Sequence, residues 1–227
     1  MVQLPRIAGA DEDGLEEAED PAAAAARRLG IPERELSPRV RAGVAALGGE
    51  ITRLKRELET LRAQLQETER AANQDTLLPL LNRRAFVREV SRFIAFVERY
   101  GTPASLIYFD LDGFKAINDV YGHAAGDAVL QHFAGTLISH VRGTDVVGRL
   151  GGDEFCIILA HANLNQARGK GISLIDALHG NPPCWEGHPV PISFSFGAYE
   201  LRAGESPDAA IAAADQAMYA HKRTLKQ

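Results

Sequence analysis

The chain has 227 residues, is 45% hydrophobic and 24% charged, and carries two cysteines and a net charge of −5. That composition fits a soluble globular protein with a real core, and it excludes a disulfide framework. Residues 1–38 hold nine acids and four bases while the rest holds 21 of each, so the acidity belongs to the leader and no basic face for nucleic acid is expected.

The opening MVQLPRIAGADEDG has no charged start followed by an apolar stretch, which argues against a secretory signal. No apolar run reaches the roughly 18 residues of a bilayer span, so no membrane span is expected and the cytoplasm is the natural compartment. DEDGLEEAEDP is an acid cluster, and AAAAARRLG reads as a short helix ended by Gly30. Pro32 and Pro38 then interrupt. Residues 1–38 are thus a flexible arm or a small element that docks a protein partner. They are too few for a usual sensory core, and the input signal is not legible.

Residues 39–74 differ. Val44, Leu47, Ile51, Leu54, Leu58, Leu61, Leu65, Thr68 and Ala72 alternate in steps of three and four. That is a heptad pattern over about four heptads, with Ile51, Leu58 and Leu65 at a and Leu54 and Leu61 at d. Glu50 and Glu57 fall at g, Lys55 and Arg62 at e. In a parallel pair Glu50 meets Lys55 and Glu57 meets Arg62, and both contacts are complementary. The alternative is one amphipathic helix lying on its own domain. Gly48 and Gly49 each cost about 1 kcal/mol inside a helix, so a firm coil is expected from Glu50 onward.

From Asp75 the pattern is α/β. LNRRAFVREVSRFIAFVERY is helical, with Phe86, Val90, Phe93, Ile94 and Val97 on one face. ASLIYFDL suits a central strand. FKAINDVYG and GDAVLQHFAGTLISHV read as helices. DVVGRL and EFCIILA read as strands joined at Gly151-Gly152, where the pair permits the positive φ angles of a tight hairpin. A helix NQARGKGISLIDALHG, a strand VPISFSFGAYE and a last helix from Ser206-Pro207 complete the chain. Trp185 in PPCWEG reads as a loop anchor, and Cys156 as a buried small hydrophobe.

Asp110 ends the central strand, and a glycine and a helix start follow. A helix start offers free N–H groups to an anion. Asp110, Asp153 and Glu154 would converge if the hairpin lies beside that strand. Carboxylates about 4 Å apart repel by roughly 4 kcal/mol at an effective dielectric near 20. A divalent ion reverses that sign, and an all-oxygen set favours Mg²⁺ or Mn²⁺ over zinc. On these residues alone a solvated turn with three unrelated acids remains the alternative.

RLGGDEF resembles the motif that names the GGDEF domain of diguanylate cyclases. FDLDGFKAINDVYGHAAGDAVL resembles that family's metal- and guanine-binding segment, DTLLPLLNRRAF its opening segment, and AADQAMYAHK its closing helix. The resemblance covers residues 75–226 in order. It implies an α/β fold with a central, mostly antiparallel sheet flanked by helices, like a nucleotidyl cyclase or polymerase palm, preceded here by the N-terminal coiled-coil helix. It implies a GGDEF catalytic domain over 75–227 that joins two GTP into cyclic di-GMP and releases two pyrophosphates, one GTP on each subunit of a homodimer.

The resemblance also implies roles. Asp110, the Leu111 carbonyl, Asp153 and Glu154 hold Mg²⁺ or Mn²⁺. Asp153 is also the general base for the 3′-hydroxyl, and Lys115 offsets phosphate charge. Asn118 and Asp127 read guanine, and Lys222 binds the triphosphate. Arg142 and Asp145, an R-x-x-D pair nine residues ahead of Gly151, match the site where product inhibits. Arg149 reads as a rim charge and His123 as structural. Three departures stand out. Leu78-Pro79-Leu80 replaces the family's L-T-G-L opening. Gly113 stands where His is common. Lys226 takes an arginine's place in the triphosphate grip.

Overall fold

The computed structural model describes residues 27–28, 30–32, 35 and 37–225. Most of the leader and Lys226 lie outside the described residues, and with them any docking element. Two compact units divide the chain, residues 1–66 and 67–227.

Helix α1, Pro38–Asn73, spans 36 residues. It matches the helix expected over 39–74 to within one residue at either end and runs through Gly48 and Gly49 without a break. Pro38 opens this helix instead of interrupting the chain. Proline at the first helical position loses no hydrogen bond, and Ser37 caps it, its Oγ accepting from Val40 N at 3.3 Å. Thr52 Oγ1 donates to Gly48 O at 2.8 Å across the glycine pair. Leu54, Leu58, Leu61 and Leu65 are 48 to 59% exposed on this chain.

The second unit is built on one sheet of order β2-β3-β1-β6. Its strands are β1 (Ala104–Asp112), β2 (Val146–Arg149), β3 (Glu154–Ala160) and β6 (Ser193–Glu200), and every ladder is antiparallel. β1 lies between β3 and β6, and helices cover both faces. Ile107, Phe109 and Leu111 share one buried cluster with Phe133 and Leu137 of α4 (His123–Ser139) and Leu174 and Leu178 of α5 (Leu164–Gly180). Leu106 and Tyr108 share the other with Phe86, Val90 and Ile94 of α2 (Arg83–Tyr100) and Ala210, Ala214 and Met218 of α6 (Pro207–Leu225). A strand buried on both faces reads as an unbroken apolar run. Helix α6 lies so close on β6 that a Cβ at Gly197 would stand 2.1 Å from Met218 N.

A short hairpin, β4 (Cys184–Trp185) and β5 (His188–Pro189), follows α5. Glu186 and Gly187 turn it with φ of 48 and 80. Two-residue strands carry no period, so the sequence reads only as a loop there. Trp185 packs against the main cluster. Among the described residues no helix is long and apolar enough to cross a membrane.

Candidate active site

Pairing of β1 with β3 sets Asp110 directly opposite Glu154. The Leu111 N–H donates to Asp153 O at 3.2 Å. The strand end and the hairpin tip therefore meet. Side chains alternate along a strand, so Asp110 and Glu154 lie on the face that holds Tyr108 and Cys156. Burial first, and then the Glu154 carboxylate, push the Tyr108 phenol and the Cys156 thiol upward.

The glycine pair acts differently from expectation. Four residues, Leu150 to Asp153, join β2 to β3. Neither Gly151 nor Gly152 takes a positive φ. Gly151 lies against the Glu154 carboxylate: a Cβ there would stand 2.5 Å from Glu154 Oε2, so a side chain would push that carboxylate out of its present position. The missing side chain leaves room for the carboxylate.

Arg149 is no rim charge. Its guanidinium donates to Asp75 Oδ1 at 2.9 Å and to Gly152 O at 2.7 Å. The two side chains are only 14% and 17% exposed. Asp75 Oδ1 also accepts from Leu77 N and Leu78 N at 3.0 and 3.1 Å. Leu81 N donates to Val147 O, and Arg149 N to Leu81 O, at 3.2 and 2.8 Å. The hairpin is thus tied to the segment after α1. Pro79 is exposed at the crest of that segment between buried Leu78 and Leu80. It occupies a position that asks little of a backbone N–H.

Helix α3 (Phe114–Tyr121) starts after Gly113, which has φ of 72. That left-handed angle suits glycine better than histidine. Lys115 is exposed in the first turn. Asn118 packs on Gly126 so tightly that a Cβ there would lie 2.0 Å from Asn118 Oδ1. Exposed Asp127 follows Gly126. The two residues matched to guanine reading are therefore neighbours across α3 and α4.

Helix α6 brings Lys222 onto Asp110. Its ammonium pairs with Asp110 Oδ1 and stands 3.3 Å from Asp112 Oδ1. Ser195 Oγ donates to both Asp112 oxygens at 3.1 and 3.2 Å. Burial lowers the Lys222 pKa, but the two carboxylates outweigh it and the ammonium is held above its usual value. Among the described residues no three His, Cys, Asp or Glu side chains gather as a ready metal cage. The donors are nevertheless all oxygen and opposed in register, and Asp110 already attracts a cation. That chemistry fits a hard divalent ion.

Arg142 and Asp145 sit at the other end of the hairpin, about 20 Å along β3 from Glu154. Asp145 accepts from Arg142 N at 2.9 Å and from Ala160 N at 3.1 Å. Both border a cavity of about 270 Å³ with His161, Gln166 and Lys170. The Arg142 side chain is exposed and makes no hydrogen bond or ion pair among the described residues.

Sequence reasoning missed Asp75, Asp112 and Ser195. Asp112 repeats Asp110 two residues on, which places both on one face, and that was its available signal. Ser195 and Asp75 carried none.

Residues 72–227 match the family described as diguanylate cyclase, GGDEF domain. The chain is 35% identical over 162 residues to the probable diguanylate cyclase DgcE of Escherichia coli, covering 71% of this chain and 15% of that one. It is 32% identical over 191 residues to the diguanylate cyclase DgcP of Pseudomonas aeruginosa, covering 84% and 28%. It thus spans well under half the length of these relatives. The coiled coil and GGDEF domain of DgcB from Caulobacter crescentus, solved with c-di-GMP, superposes with a TM-score of 0.72 at 29% identity, over 79% of this chain and 95% of that one. The chain belongs to the GGDEF-domain family.

Proposed function

We propose that the chain is a diguanylate cyclase that joins two GTP into cyclic di-GMP plus two pyrophosphates, in the cytoplasm, as a parallel homodimer. The observation that carries this reading is the pairing of Asp110 with Glu154, with Asp153 beside them at the hairpin tip. Residues 75–227 form the catalytic domain and 39–74 the dimerising helix. Residues 1–38 are a leader open to a protein partner.

Asp127 accepts from guanine N1–H and N2–H₂, and Asn118 pairs with the remaining edge. Asp153 takes the proton of the 3′-hydroxyl. The O3′–Pα bond forms, the bond from Pα to the bridging oxygen breaks, and pyrophosphate leaves with the electron pair. The same exchange from the other subunit closes the ring. Lys115 and Lys222, with Lys226 by resemblance alone, offset triphosphate charge. Asp110, the Leu111 carbonyl, Asp153 and Glu154 would hold Mg²⁺ or Mn²⁺, which would supply positive charge where negative charge develops on the reacting oxygens.

The exposed a and d residues of α1 support the dimer. Arg53 meets Glu50 at 2.7 Å and Glu57 at 3.2 Å within one helix, so the pairs Glu50–Lys55 and Glu57–Arg62 compete with Arg53. Feedback rests on the free Arg142 guanidinium, which can grip a phosphate or guanine edge of the product bidentately. DgcB was solved with that product.

The test is to incubate the purified chain with GTP and Mg²⁺ and separate the nucleotides by chromatography. Cyclic di-GMP and pyrophosphate should appear at one to two. GTP that is bound but not converted would overturn the reading and leave a catalytically silent module that regulates a partner.

A further inference from the structure

Among the described residues, Lys222 is the one active-site cation whose ammonium rests on a proposed metal ligand. It pairs with Asp110 and leans on Asp112. Both carboxylates share this single positive charge, so the pair stays net negative and still attracts cations. Asp112 does not depend on Lys222 for its place. Ser195 donates to it from 3.1 Å, and Ser193 Oγ stands 3.4 Å away. The backbone of α6 is fixed by its close packing on Gly197. Its lysine side chain is not so confined: Lys222 and Asp112 border a cavity of about 440 Å³ together with Ser193, Ser195 and His221.

We propose that Lys222 is a resident counter-ion for Asp110 that a divalent ion must displace. The ammonium and the metal compete for one carboxylate. Like charges cannot both sit on it at low cost. Metal entry therefore drives Lys222 off Asp110, and Asp112, held by its two serines, keeps the ammonium close. Donors that faced a carboxylate are then free to face the triphosphate. Before loading, Lys222 offsets part of the negative charge on Asp110 and Asp112; after loading, it becomes a phosphate ligand. Asp112 is the positioning residue of this exchange. The inference rests on the metal site proposed above and adds an order of events to it.

The exchange makes one substitution act in two directions. Lys222→Met removes the competitor, so Mn²⁺ should bind the nucleotide-free protein about tenfold or more tighter than wild type. The same variant loses a phosphate ligand, so a non-hydrolysable GTP analogue should bind more weakly at saturating Mn²⁺. Arg223→Gln, which removes a neighbouring exposed charge, should change Mn²⁺ affinity by less than about twofold. Free Mn²⁺ is read by electron paramagnetic resonance, and Lys222→Gln carries the test if the methionine variant does not fold. Tighter Mn²⁺ binding by the Lys222 variant alone, including binding where wild type shows none, supports the exchange. Wild type that binds Mn²⁺ with a Lys222 variant that is equal or weaker overturns the exchange and leaves the metal site standing. An equal gain in Arg223→Gln also overturns it, because the effect is then general charge. No Mn²⁺ binding by any of the proteins overturns both the exchange and the metal site.

Discussion

The two parts of this chain treat apolar surface in opposite ways. In the catalytic unit Phe109, Phe133 and Phe155 are fully buried, and both faces of the sheet are covered. Along α1 the leucines at the heptad positions stay about half exposed. The first part is complete as a fold. Its proposed chemistry is not, because two GTP molecules must meet and each protomer presents one. The second part is incomplete as a fold, because an amphipathic stripe of that length needs a partner to cover it. On the dimeric reading proposed above, each lacks what a second copy of the chain would supply. A parallel coil starts both catalytic domains from the same end, as a two-fold pair requires.

The largest effect should separate the two parts. Asp153→Asn should lower turnover by about a hundredfold or more and leave the dimer mass unchanged by light scattering. Wild-type turnover in that variant would break the assignment of the hairpin tip. Arg142→Ala should raise the product concentration that halves the rate by about tenfold, the worth of a charged hydrogen-bond donor. Unchanged inhibition, or a wild type that product does not inhibit, would remove feedback from the far end of the hairpin.

A smaller effect falls where the second unit begins. Arg149→Gln leaves Asp75 without its ion partner and frees the hairpin tip from Leu77-Leu78. It should cost about 1–3 kcal/mol of stability, read as a melting temperature lower by several degrees. An unchanged melting temperature would show that the clamp adds nothing.

Much of the site was legible because its residues lie in short, dense stretches. Asp110 ends an apolar run and Asp153-Glu154 follow a glycine pair, so strand pairing alone was enough to join them. The reason for Gly151 was not legible. It depends on where one rotamer of Glu154 points, and no local pattern encodes that. Arg149 and Asp75 are 74 residues apart, and their ion pair forms only when β2 docks beside the segment after α1. The same holds for Lys222 and Asp110, separated by 112 residues. Pro38 misled for a different reason: proline both ends and begins helices, and only the Ser37 cap decides between them. The sheet itself followed from the apolar run of β1, whereas β4 and β5 are too short to leave a period.

The central claim is that α1 brings two incomplete sites together. Leu58→Asp with Leu61→Asp would bury charge in the seam and should dissociate it. The coil otherwise raises the effective concentration of one catalytic domain about the other. The decisive measurement is specific activity against protein concentration, for wild type and for this double variant, with mass followed by light scattering. Wild type should hold a level rate per subunit on dilution, while the double variant should fall steeply as it becomes monomeric. A double variant that is monomeric yet equally active at every dilution would contradict the account.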